Sequence, residues 1–168
     1  MHNNICIIPL KGESQTQTPV TTDNITSTQP IFRRRIMISY HRRSSFDTCQ
    51  RICIELRNRG YDVWMDEDDL NGNILYNELA RAVENSYIVL ICFNRQYAAK
   101  ACYTVRRGIE YIPCRMEAPF RATDWLGFII SDHLYCDFSS PGQYNDDFER
   151  LVRQIRHIET ELQTNAGK

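Results

Sequence analysis

From Ile36 onward the chain alternates short apolar runs with longer amphipathic segments. Ile36-Met37-Ile38-Ser39-Tyr40 predicts a first buried strand. Ser44-Ser45 are the expected helix caps ahead of Phe46, Cys49, Cys53 and Leu56 at helical spacing, and Gly60 is the expected stop. Residues 61–65 read as the second strand, and a second helix is expected to carry Leu75, Leu79, Ala82 and Val83. Residues 87–93 are almost all apolar, the pattern of a central strand covered on both faces. A short helix over 98–107, a fourth strand over 109–114, a short apolar helix over 124–130 and a fifth strand over 133–138 follow. The last helix aligns Phe148, Leu151, Val152, Ile155, Ile158 and Leu162 on one stripe. Strands alternating with helices predict an α/β fold of three layers, flavodoxin-like, with a five-stranded parallel sheet and helices on both faces.

The pattern starts late. Residues 11–30 are dominated by Gln, Thr, Ser, Asn, Pro and Gly, with Val20 and Ile25 the only aliphatics. Such a stretch buries too little apolar surface to offset chain entropy. The expected organisation is therefore a disordered leader over 1–33, one domain over 34–162, and a frayed tail over 163–168. The 168 residues suit a single domain with a core of its own. No apolar run approaches the about 20 residues of a membrane span, and Ile5 to Leu10 is too short for a secretory signal. The expectation is a cytoplasmic protein that uses no membrane.

Twenty basic residues against 21 acidic ones leave a net charge of -1, which argues against a dedicated nucleic-acid binder. The seven cysteines show no CxxC spacing, and the four histidines do not cluster with them in sequence, so no metal site is expected. Most of the thiols stand in apolar runs and read as reduced, buried hydrophobes.

Ligand sites in open α/β sheets gather beyond the carboxyl ends of the strands. That rule selects Tyr40-His41-Arg42-Arg43, where two cations and a helix start suit an anion. It also selects the acidic loop Asp66-Glu67-Asp68-Asp69-Leu70-Asn71-Gly72-Asn73, an exposed binding surface by its charge. This loop has the wrong sign for a phosphate cradle, and its glycine comes too late for a calcium loop. A phospho-accepting receiver needs an aspartate at the end of the third strand, where this chain has Phe93-Asn94.

Ile36-Met37-Ile38-Ser39-Tyr40-x-Arg42-Arg43, then Gly60-Tyr61-x-Val63-Trp64-Met65-Asp66 and Leu70-x-Gly72, resemble a TIR domain. Trp125-Leu126-Gly127 and Leu134-Tyr135-Cys136-Asp137-Phe138 extend the likeness to about residues 34–158, and more narrowly the chain is similar to animal TIR domains related to an NAD hydrolase. The resemblance implies signal transduction, as in innate immunity, by association with other TIR domains and as homo-oligomers. The association loop would be Glu67, Asp68, Asp69, Leu70, Asn71 and Gly72. It also implies a cleft in which Tyr40, Arg42, Arg43, Trp64 and Asp66 would meet NAD as a substrate, with no cofactor required.

One part of the family pattern is missing. Enzymatic relatives use a glutamate on the helix after the third strand, whereas this chain has no Asp or Glu between Glu84 and Glu110. Lys100 stands at the ungapped position, and a deletion of about five residues between Cys102 and Tyr103 accounts for the loss. Without that carboxylate an oxocarbenium-like transition state loses a major electrostatic term. The expected function is a TIR assembly module, catalytically weak or silent; the alternative is a TIR-type NAD hydrolase. A shortened helix is also expected to uncover the central strand near Leu90 and Cys92.

Overall fold

The computed structural model describes residues 35–66, 73–99, 109–131 and 133–166. In chain order these form β1 (Arg35–Tyr40), α1 (Arg42–Asn58), β2 (Asp62–Met65), α2 (Asn73–Glu84), β3 (Ser86–Phe93) and α3 (Arg95–Ala98). Then come β4 (Glu110–Arg115), α4 (Asp124–Ile130), β5 (Cys136–Asp137), a 3-10 turn (Pro141–Gln143) and α5 (Tyr144–Ala166). The strands form one parallel sheet in the order β2-β1-β3-β4-β5. That is the expected three-layer α/β fold, and its strand order is the flavodoxin-like doubly wound one.

The period of two along β3 sorts the core into two layers. Ile88, Leu90 and Cys92 pack with Ile52 and Leu56 of α1 and with Leu151 and Ile155 of α5. Val89, Ile91 and Phe93 pack with Ala82 and Val83 of α2, Tyr97 of α3 and Leu126 of α4. Each of the buried Val, Leu, Ile and Phe side chains contributes roughly 1.5–3 kcal/mol by leaving water. Gly60 closes α1 as expected: at φ +88° it takes a left-handed turn that a side chain would strain.

The expected exposure near Leu90 and Cys92 is not found, since both are 0% exposed. Their parity turns them toward α1 and α5, so the region after β3 is not what covers them. Other differences are local. Helix α1 begins at Arg42, so Ser44 and Ser45 lie inside its first turn rather than capping it. Helix α3 begins at Arg95 rather than at 98, because Asn94 caps it; the rest of the expected 98–107 helix, from residue 100, lies outside the described residues. Strand β5 is two residues long, not six: it pairs only through Cys136 and Asp137, with Cys114 and Arg115 of β4, and Pro113, the next residue back in register, has no amide proton to donate. Helix α5 continues past 162 to Ala166. Gly127 of α4 approaches the chain so closely that a Cβ there would lie 3.0 Å from the Ala122 carbonyl oxygen.

Candidate functional site

Strands β1, β2 and β3 deliver their carboxyl ends to one edge, and the chain leaves β1 directly into α1 through His41. The Tyr40 hydroxyl donates to the backbone carbonyl of Asp66 at 2.5 Å. Arg42 Nη1 donates to the same carbonyl at 3.4 Å and lies 4.0 Å from Asp66 Oδ1. The Arg42 guanidinium stands 5.4 Å from the centre of the Phe46 ring, which in turn lies 6.3 Å from the Tyr40 ring. Three of the residues expected at the site, Tyr40, Arg42 and Asp66, thus meet where β2 ends.

Two others do not join them. Arg43 is exposed on the first turn of α1. Trp64 lies on the opposite face of the sheet, against the layer that holds Met37 and Val83, because it alternates with Val63 and Met65. Glu67, Asp68, Asp69, Leu70, Asn71 and Gly72 lie outside the described residues.

Beneath the edge runs a polar network that hydrophobic patterning passes over. Asn94 is 2% exposed. Its Oδ1 accepts from the Tyr97 amide at 2.8 Å, and its Nδ2 donates to the hydroxyls of Ser44 at 2.7 Å and Ser45 at 2.9 Å. Ser44 Oγ also lies 2.8 Å from His41 Nδ1, and Ser39 Oγ lies 2.8 Å from the Tyr97 hydroxyl. An Asn immediately ahead of a helix is a cap signal, and that was the clue available in the sequence.

The edge also receives a carboxylate from β4. Glu117 Oε2 accepts from the Arg95 amide at 3.1 Å, and its Oε1 lies 3.8 Å from Arg95 Nε. Glu110, by contrast, is exposed at the first position of β4, opposite Ile88. The sheet-edge rule applied to the fourth strand would have singled out Glu117.

A cavity of about 460 Å³ lies elsewhere, at the start of α5, lined by His133, Leu134, Tyr135, Asp146 and Arg150 among others. One strand, β4, separates its edge, β5, from β3. Among the described residues no three His, Cys, Asp or Glu side chains are arranged to hold a metal ion.

A family model described as the TIR domain matches residues 36–152. Among solved structures, the chain is similar to the TIR domain of the Toll-related receptor TRR-2 from Hydra magnipapillata. The TM-score is 0.53 at 17% sequence identity, over 74% of this chain and 98% of that one. At that identity the likeness speaks for the fold. Comparison with curated proteins finds no match.

Proposed function

Since the chain belongs to the TIR domain family, whose members generally act in signalling through TIR–TIR association, we propose that it is an assembly module with little or no turnover of NAD. The observation that carries this reading is the absence of any Asp or Glu between Glu84 and Glu110. At the β1–β2 edge, Asp66 offers its carbonyl and carboxylate to Tyr40 and Arg42, so its described contacts belong to the fold. Nicotinamide–ribose cleavage passes through a cationic sugar that a carboxylate must stabilise. The arginine pair and the acidic loop instead suit contact between charged protein surfaces, with other TIR domains or a second copy as partners.

The same reading places the TIR domain at 34–162 behind a leader of 33 residues, in the cytoplasm, with no nucleic acid and no membrane. No described helix is long and apolar enough to cross a bilayer. Sedimentation velocity over a wide concentration range tests the association. The expected result is a concentration-dependent rise in mass that charge reversal at Arg42 and Arg43 removes; a strict monomer at all concentrations would overturn it.

One observation favours the second reading, an NAD hydrolase. Glu117 stands at the carboxyl edge beside the start of α3, where a carboxylate could reach a ligand held in the cleft. In that case Glu117 would replace the missing helix glutamate, and Tyr40 and Arg42 would line the nucleotide site.

A further inference from the structure

Asn94 joins the start of α3 to the first turn of α1. Its backbone carbonyl accepts from the Ala98 amide at 3.0 Å and its Oδ1 from the Tyr97 amide, so it caps α3 twice. Its two amide protons go to Ser44 and Ser45, neighbouring hydroxyls in the first turn of α1. That turn carries Arg42, and Arg42 reaches the Asp66 carbonyl on which Tyr40 also closes. A contiguous set of hydrogen bonds therefore runs from α3 through Asn94 and the first turn of α1 to the end of β2. The Asn94 side chain is 2% exposed, and its bonds to the Ser45 hydroxyl and the Tyr97 amide are buried, so these two are shielded from water and costly to leave unmade.

We infer that Asn94 is a positioning residue: it fixes the first turn of α1, and so the direction in which Arg42 meets Asp66 at the proposed association edge. Asparagine suits this task better than the serine or threonine of an ordinary cap. A hydroxyl has one proton, whereas the carboxamide accepts with Oδ1 while donating twice with Nδ2. An aspartate of the same shape can do the work in reverse. Its carboxylate still accepts from Tyr97, and both serine hydroxyls can rotate to donate to it. The Ser44 proton is then withdrawn from His41, whose ring takes the tautomer with hydrogen on Nδ1. A leucine of similar volume can do none of this.

The test is hydrogen–deuterium exchange on the full chain, read by peptide, for Asn94→Leu, Asn94→Asp and the double variant Ser44→Ala with Ser45→Ala. In the serine pair, which loses both hydrogen bonds from the Asn94 amide, exchange over residues 40–46 is expected to accelerate by roughly tenfold or more, with residues 95–99 and 110–115 unchanged. Asn94→Leu is expected to loosen 40–46 and 95–99 together, and Asn94→Asp to stay near wild type in both. Should Asn94→Leu not fold, the serine pair and Asn94→Asp decide the matter. Unchanged exchange over 40–46 in the serine pair, or an Asn94→Asp chain as loose there as the serine pair, would overturn the inference. The link to association rests on the proposed function, so self-association is measured in parallel. It is expected to weaken in the serine pair and to survive in Asn94→Asp. If the wild-type chain proves monomeric, the association reading fails while the exchange pattern still decides the role of Asn94.

Discussion

Glu110 and Glu117 stand at opposite ends of one strand. Glu110 opens β4 in register with Ile88, and Glu117 lies just past its end with its carboxylate on the Arg95 amide. At about 3.3 Å per residue they are separated by roughly 20 Å, so only Glu117 shares the edge where Tyr40 and Arg42 meet Asp66. The purified chain is expected to release no nicotinamide from NAD above the buffer rate, followed by chromatography of ADP-ribose and cyclic product. Should turnover be detected, Glu117→Gln is expected to reduce it by about 100-fold or more, the usual loss for a general acid or base, and Glu110→Gln to leave it intact. Turnover that depends on Glu110 would contradict this placement.

The second prediction concerns pH. Hydrogen bonds from the Arg115 guanidinium, joined by the Ser139 amide and hydroxyl, hold the Asp137 carboxyl down to about 2. A depressed folded-state value means that the pair stabilises the fold above the unfolded value of about 4, and that this contribution is lost as pH falls toward 2. The size is on the order of 2 kcal/mol. Urea unfolding of Asp137→Asn against wild type is expected to show that gap at pH 7 and none near pH 2. A constant gap across the range would mean the residue acts through packing alone.

Much of the fold was legible because apolar periodicity is a local signal. The unbroken run of β3 predicts a strand buried on both faces, and Gly60 marks the end of α1 without reference to anything distant. What escaped was set by partners far along the chain. Ser44 and Ser45 look like caps until Asn94, about 50 residues away, is found to bind both hydroxyls. Leu134 and Tyr135 look like strand interior, yet only Cys136 and Asp137 pair with β4, where Pro113, next in register, has no amide proton to donate. At the site, Tyr40, Arg42 and Asp66 follow from the strand-end rule. Trp64 does not, because alternation along β2 decides its face, and Trp64 falls on the side away from Tyr40.

Gly127 gives a third prediction. Replacing it by Ala should gain up to about 1 kcal/mol of helix propensity at an ordinary helical site. Here the new methyl would lie 3.0 Å from the Ala122 carbonyl oxygen and 3.3 Å from its carbon, and a backbone group cannot swing aside as a side-chain end can. Overpacking of this kind costs roughly 1–3 kcal/mol, so the net effect is destabilising by about 1 kcal/mol. Calorimetry is expected to show a lowered Tm for Gly127→Ala; an unchanged or raised value would show that α4 shifts freely.

The last prediction follows from a row of thiols. Cys92, Cys114 and Cys136 are register partners on β3, β4 and β5, and Cys49 and Cys53 of α1 pack in the same layer. All five are buried. Burial and the neighbouring Cys92 push the Cys49 thiol up, while hydrogen bonding with Cys136 and Cys92, together with burial, does the same for Cys114. Thiolate is the reactive form, so charge state adds to burial in protecting Cys49 and Cys114, whereas hydrogen bonds from Cys114 and Cys49 hold the Cys92 thiol down to about 5 and leave burial as its protection. Iodoacetamide at pH 8, read by mass spectrometry, is expected to leave the five unmodified in the native chain and to label them all in urea. Global stabilities of 5–15 kcal/mol would slow native labelling by about 1000-fold or more if only full unfolding exposes them. The order of labelling should report the order of opening. Cys136 sits on a two-residue edge strand and should react first, and Cys92, at the centre of the sheet between β1 and β4, should react last. If Cys92 reacts as early as Cys136, the sheet opens as one unit and β5 is no weaker than its centre.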